Sequence, residues 1–163
     1  MQKITPFLWF DTQAEEAASF YTRVFKDGSI GHVARYPEGT PGPEGSAMVV
    51  EFKIMGQDFL ALNGGPLFPH SPAISFVVSC EDQEEIDYYW DALLEGGKPS
   101  QCGWLEDKFG VSWQVVPSIL GQLTSGTPAQ SKAVMGAVMQ MVKLDLATLR
   151  EAFAQAAPAA ANA

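Results

Sequence analysis

Positive charge is scarce in this chain of 163 residues, where ten Lys and Arg stand against nineteen Asp and Glu for a net charge of −9. A surface field of that sign repels phosphate backbones and anionic lipid heads, which argues against nucleic-acid and membrane partners. Cysteine is nearly absent. Cys80 and Cys102 fit neither the clustered spacing of a zinc site nor the dense framework of a disulfide-stapled domain, so both are expected as free thiols. No apolar run approaches the roughly 20 residues of a membrane-spanning helix. The start, MQKITPFLWFD, has neither the basic segment nor the cleavage site of a secretory signal, and a cytoplasmic location is the expectation. Charged residues are also few, 18% of the chain against 47% hydrophobic. Much apolar area must therefore lie hidden in a core, an interface or a cavity.

What is present is a repeat, offset by 69 residues. Ile4 to Asp11 is an aromatic-rich apolar run, and Ala14 to Phe25 follows with Ala17, Phe20, Tyr21, Val24 and Phe25 at helical spacing. Ala73 to Cys80 and Gln83 to Leu94 repeat that order, with Glu15 and Glu16 matching Glu84 and Glu85. Each glutamate pair faces the positive end of its helix dipole, which explains it without catalysis. Strand-like segments follow at 29–36, 47–56 and 58–65, and again at 98–104, 105–110 and 111–117. The fold class is therefore α+β, with two β-α-β-β-β modules, about 3–65 and 72–117, forming curved half-barrel sheets within a single domain. One copy cannot cover its own sheet, so the repeat predicts a pocket.

From Ser118 the composition changes. Positions 133, 134, 137, 138, 141 and 142 form an Ala, Val and Met stripe at helical period, and Asp145 suits the N-cap of a last helix through Phe153. This tail, about 118–155, is expected to pack, and a dimer interface is one place for it. The closing AAPAAANA has nothing to bury and is expected to fray.

FLWFD, EEAASFY, FLALNGGP, AISFVVSC, EEIDYYW and above all CGWLEDKFGVSWQVVP resemble the PhnB-like family, also labelled 3-demethylubiquinone-9 3-methyltransferase, of the vicinal oxygen chelate superfamily of glyoxalases and extradiol dioxygenases. The resemblance spans about residues 3–155. It implies a homodimer with a cup-shaped site in each half-barrel. It also implies a divalent metal held from the first and fourth strands of each module, whose slots here are Ile4 or Pro6, Ala73 or Ser75, and Gln114 with Ala61 as its approximate counterpart. Only Gln114 is a plausible donor. His32 and His70 read as surface side chains, so no metal ligands and no cofactor are assigned and a divalent metal is disfavoured.

The label's methyl transfer is not supported by the residues, because no glycine follows the first strand in FLWFDTQAEE and Asn63-Gly64-Gly65 runs into Pro66 rather than a helix. The ligand-binding candidates are Gln114, Asn63, Trp104, Cys102 and Glu51; no catalytic residue is assigned. Gln114 and Trp104 are read as pocket residues and Trp113 as facing the helices. Asn63 offers an amide or merely a turn. Cys102 reads first as an apolar filler, and Glu51 faces either water or the cup. Asp107 and Lys108 read as solvated turn charges, with Glu106 and Asp107 holding a water or a loop at the pocket mouth as the alternative.

The expected function is a dimeric small-molecule-binding protein of unknown substrate. The alternatives are a superfamily enzyme, either a metal-dependent lyase, isomerase or dioxygenase or the labelled methyltransferase, and a structural or regulatory dimer whose cup is filled by Phe10, Phe59 and Leu62.

Overall fold

The computed structural model describes residues 3–157, so most of the closing alanine-rich segment, for which fraying is expected, lies outside the described residues. The chain divides after His70 into two compact units. The first holds β1 (Phe7–Phe10), α1 (Ala14–Val24), β2 (Ser29–Arg35), β3 (Ala47–Ile54) and β4 (Gln57–Asn63). The second holds β5 (Ser75–Cys80), α2 (Gln83–Leu94), β6 (Lys98–Pro99), β7 (Trp104–Glu106) and β8 (Ser112–Pro117), then α3 (Leu120–Thr124), α4 (Pro128–Met139) and α5 (Leu146–Gln155). Each unit carries one open four-stranded sheet, ordered β1-β4-β3-β2 and β5-β8-β7-β6. The expected duplicated β-α-β-β-β modules are thus present with the same strand order. Among the described residues, no helix is long and apolar enough to cross a membrane.

Strand alternation sends one face of each sheet to its helix. In the first unit Leu8, Phe10, Val50, Phe52, Phe59 and Ala61 are buried, as are Ala14, Ala17, Phe20, Tyr21 and Val24 of α1. Tyr21 stacks on Phe52 with ring centroids 5.8 Å apart, and Phe52 on Phe59 at 5.1 Å. Each such side chain contributes on the order of 1.5–3 kcal/mol by leaving water. Phe10 and Phe59, which the filled-cup alternative places in the cup, belong instead to this helix-side core, because β1 and β4 turn those alternate positions toward α1. In the second unit Val78, Leu105, Trp113 and Val115 are buried together with Ile86, Tyr89, Trp90 and Leu93 of α2.

The helix starts are secured differently. Asp82 caps α2 by accepting from the Glu85 N–H at 2.9 Å. The residue before α1, Gln13, makes no side-chain cap bond; Asn63, at the end of β4, supplies its Oδ1 to the Ala14 N–H at 2.7 Å.

The two modules are not related by one constant offset. Three residues, Asp11, Thr12 and Gln13, separate β1 from α1, whereas two, Glu81 and Asp82, separate β5 from α2. The strands are therefore displaced by one residue relative to the helices. Burial shows the consequence: Phe7 and Val77 are exposed, Leu8 and Val78 buried, Phe10 and Cys80 buried. A one-residue slip moves every side chain of a strand to the other face, so this shift decides which residues the open faces display.

In the tail, the helical stripe stops earlier than its spacing predicts. Helix α4 ends at Met139, and the carbonyls of Met141 and Val142 accept from the N–H groups of Cys102 and Gly103, both at 2.8 Å. Leu123, Val134, Val138, Leu144 and Leu149 form a cluster against which Cys102, Val116 and Phe153 pack. Asp145 caps α5 as expected, accepting from the Thr148 N–H at 2.7 Å; hydrogen bonding from the Thr148 side chain, and after it from that N–H, holds the carboxyl below the usual range.

Candidate functional site

The face of each sheet turned away from its helix carries the candidate chemistry. In the first unit the register places Phe7 beside Leu60 and Leu60 beside Glu51. Strand β2 completes this row through an irregularity: Ile30 pairs with Phe52 and Val33 with Val50, so the ladder shifts at Gly31 and His32. A Cβ at Gly31 would stand 3.2 Å from the Glu51 Cβ and 3.4 Å from its Oε2. The missing side chain keeps the carboxylate accessible. A cavity of about 410 Å³ opens here, lined by Thr5, Gly31, Glu51, Lys53, Asp58 and Leu60. Lys53 pairs with Asp58 at 3.0 Å.

The corresponding row of the second unit is Val77, Gln114 and Trp104, side by side across β5, β8 and β7. Gln114 Nε2 donates to Ser75 Oγ at 2.9 Å, which fixes the amide plane and leaves its carbonyl oxygen for another donor. Trp104 is half-buried on this face, while Trp113 is buried on the helix side, as alternation predicts. The structure thus brings Gln114 and Trp104 together in one unit and places Glu51 at the matching position of the other.

Asn63 and Cys102 stand apart from these rows. The Asn63 side chain is engaged on the helix side: besides capping α1, its Nδ2 donates to the Ala47 carbonyl at 3.0 Å. The residue borders a separate cavity of about 310 Å³ lined by Tyr36, Gly42, Ser46 and Gly65 among others. Cys102 packs with the tail cluster and holds a left-handed backbone at φ 62°, followed by Gly103 at 81°. Cys80 is fully buried, and desolvation, reinforced by Glu85, Asp82 and Glu81, pushes its thiol up to about 12, which makes it a poor nucleophile.

Asp107 overturns its expected reading as a solvated turn charge. It is 2% exposed and accepts from the Phe109 and Val111 N–H groups at 2.8 and 3.0 Å and from Trp113 Nε1 at 2.9 Å. The tight turn between β7 and β8 folds the carboxylate inward to serve these donors. His70, expected at the surface, is half-buried with its ring edge on Phe10, while His32 is exposed.

The register also corrects the metal slots. The open-face position of β1 beside the fourth strand is Phe7 rather than Ile4 or Pro6, those of β5 are Ser75 and Val77 with Ala73 lying before the strand, and Leu60 rather than Ala61 is the counterpart of Gln114. A single offset for strands and helices hides Phe7, and the longer link before α1 is the signal that reveals it; Leu60 follows only from the pairing of β4 with β1. A divalent ion needs three or four converging N, O or S donors. Phe7 and Leu60 offer none, Val77 and Gln114 one neutral amide, Ser75 one neutral hydroxyl that already accepts from Gln114, and among the described residues no three His, Cys, Asp or Glu are grouped to hold a metal. The residues do not fit the divalent metal that the resemblance implies.

Comparison with known proteins follows the same outline. A family model described as 3-demethylubiquinone-9 3-methyltransferase matches residues 2–116. A Bacillus cereus structure described as a putative 3-demethylubiquinone-9 3-methyltransferase, PhnB protein, is 39% identical, covers 71% of this chain and 99% of its own, and superposes with a TM-score of 0.66. A Pseudomonas aeruginosa protein at 22% identity covers 72% of this chain and 98% of its own, with a TM-score of 0.59. A Listeria monocytogenes fosfomycin resistance protein, solved with Mn(II) and sulfate, shares the fold at 12% identity and TM-score 0.50, covering 80% of this chain and 95% of its own. No curated protein matches.

Proposed function

The chain belongs to the 3-demethylubiquinone-9 3-methyltransferase (PhnB-like) family of the vicinal oxygen chelate superfamily, and from that premise we propose that it is a small-molecule-binding protein whose ligand surfaces are the open faces of its sheets. One observation carries the reading: the first- and fourth-strand positions where the superfamily chelates a metal are Phe7, Leu60, Val77 and Gln114. Such a set binds by shape, apolar contact and a single oriented amide rather than by coordination. Trp104 adds an aromatic surface beside Gln114. The reading treats the two modules and the tail as one cytoplasmic domain that acts as a homodimer. Exposed Met135, Met139 and Val142 in the tail support a self-association surface.

Methyl transfer from S-adenosylmethionine usually relies on a glycine-rich turn in a doubly wound parallel sheet. Here the β1-to-α1 link is Asp11-Thr12-Gln13, and each sheet combines one parallel pair with antiparallel ones. The family description therefore does not supply this chain's activity.

Two measurements test the proposal. A mixture of small uncharged aromatic compounds should shift amide resonances along Val77, Gln114 and Trp104 and along Phe7, Leu60 and Glu51; shifts confined to other surfaces would refute it. Protein purified without a histidine tag should carry less than ~0.1 equivalent of any transition metal and show the same Tm with and without chelator. Near-stoichiometric zinc, nickel, iron or manganese would overturn the donor argument.

A further inference from the structure

The row Phe7, Leu60, Glu51 in the first unit contains a charge with no counterpart. Among the described residues, the side chain of Glu51, an exposed residue, takes part in no ion pair or hydrogen bond, and the nearby Lys53 is already paired with Asp58. The carboxylate opens into the 410 Å³ cavity. Opposite it, β2 is irregular at Gly31, where an added Cβ would crowd the carboxylate. A strand glycine at an irregularity marks a place where a ligand can approach closely. Across the sheet from Glu51 the floor is apolar, first Leu60 and then Phe7, which is 52% exposed.

We infer that this cavity binds an organic ammonium compound, its cationic nitrogen on Glu51 and its apolar body over Leu60, reaching beyond the cavity's lining to Phe7 on the next strand. The inference rests on the reading of the open faces as ligand surfaces and adds the ligand's charge, size and polarity. An anion is disfavoured by Glu51 itself and by the −9 charge of the chain, and Lys53 could serve one only by abandoning Asp58. A divalent metal needs several converging oxygens and would find one carboxylate outside an ion pair, because Asp58, the cavity's other one, is paired with Lys53. An ammonium group needs one charge-assisted hydrogen bond. Two strand spacings separate Glu51 from Phe7, about 10 Å, which matches a primary amine joined to an aryl group by a short chain.

The test uses three probes that share one skeleton: 3-phenylpropylammonium, 3-phenylpropanol and 3-phenylpropanoate, titrated into the full chain and followed by amide resonances. The ammonium is expected to bind at least ~10-fold more tightly than the alcohol, with the carboxylate weakest and the preference shrinking as salt is raised. Glu51→Gln should bring the ammonium down to the alcohol's affinity and leave the alcohol unchanged. Equal binding of ammonium and alcohol, a preference that survives Glu51→Gln, or no ammonium binding overturns the inference. Alcohol binding at the open faces with no ammonium preference defeats the charge argument alone; shifts elsewhere defeat the underlying reading as well.

Discussion

Replacing Asp107 by alanine is expected to cost about 4 kcal/mol of folding stability, because three donors aimed at one buried carboxylate lose their acceptor together. Oδ1 accepts from the Phe109 and Val111 N–H groups and Oδ2 from Trp113 Nε1. The turn is also closed by the Asp107 N–H donating to the Val111 carbonyl and the Gly110 N–H to the Asp107 carbonyl, both at 2.9 Å. Water cannot substitute freely at a residue only 2% exposed. Asp107→Asn is nearly isosteric yet should still lose about 2 kcal/mol. An amide has one oxygen, so in either orientation its NH2 group faces a donor, the indole N–H or the two backbone N–H groups. Trp113→Phe removes one donor, and a double-mutant cycle with Asp107→Asn should give a coupling of about 1 kcal/mol or more. Urea denaturation measures all three. A loss below about 1 kcal/mol for the alanine variant would mean that the turn is held by its backbone bonds alone. The turn joins β7 to β8 and so sets the register that puts Trp104 beside Gln114.

Asp107 also marks the limit of what the sequence makes legible. The repeat, the two helices with their paired glutamates, the succession β-α-β-β-β in each module and the Asp145 cap follow from periodicity and local capping chemistry, which act over a few residues. The faces of β8 were equally readable, since Ser112 and Gln114 must oppose Trp113 and Val115 once the strand is drawn. Asp107 was not, because a charged residue followed by Lys, Phe and Gly has the composition of an exposed turn, and only the Trp113 indole on the next strand makes burial favourable. Asn63 is similar. Its pairing with Gly64 suggests a turn or a ligand contact, while its partner, the Ala14 N–H, lies 49 positions away. Phe7 was hidden by one extra residue before α1, and Leu60 by the pairing of β1 with β4, which puts Leu60 rather than Ala61 beside Phe7 and is a contact between strands far apart in the sequence. The end of the α4 stripe was hidden because Met141 and Val142 keep helical spacing while their carbonyls turn to Cys102 and Gly103.

The same tail carries the second large effect, a loss of about 3 kcal/mol for Leu144→Ala. Leu144 is fully buried in the tail cluster, and its side chain fills the space where Gly103 lacks one: a Cβ there would stand 3.0 Å from Leu144 Cγ. Its carbonyl and the Leu146 N–H are both bound by the side-chain amide of Gln83, the first residue of α2, at 3.2 and 2.8 Å. Lys143 reaches Asp87 and Asp91 on successive turns of that helix, at 3.2 and 3.0 Å. These exposed pairs add little, on the order of 0.5 kcal/mol, so the burial of Leu144 dominates. The family model stops at residue 116, yet these contacts join residues on both sides of that limit within one compact unit. Tail and second sheet should therefore melt together, and Leu144→Ala should lower a single transition seen equally by far-ultraviolet circular dichroism and tryptophan fluorescence. Val142→Ala is the control: that side chain is 41% exposed and its carbonyl bond to Gly103 survives the change, so the loss should stay within about 0.5 kcal/mol. A helical signal that disappears before the tryptophan signal would show instead that the tail folds independently of the sheet, and the contact between Leu144 and Gly103 would then carry no stability.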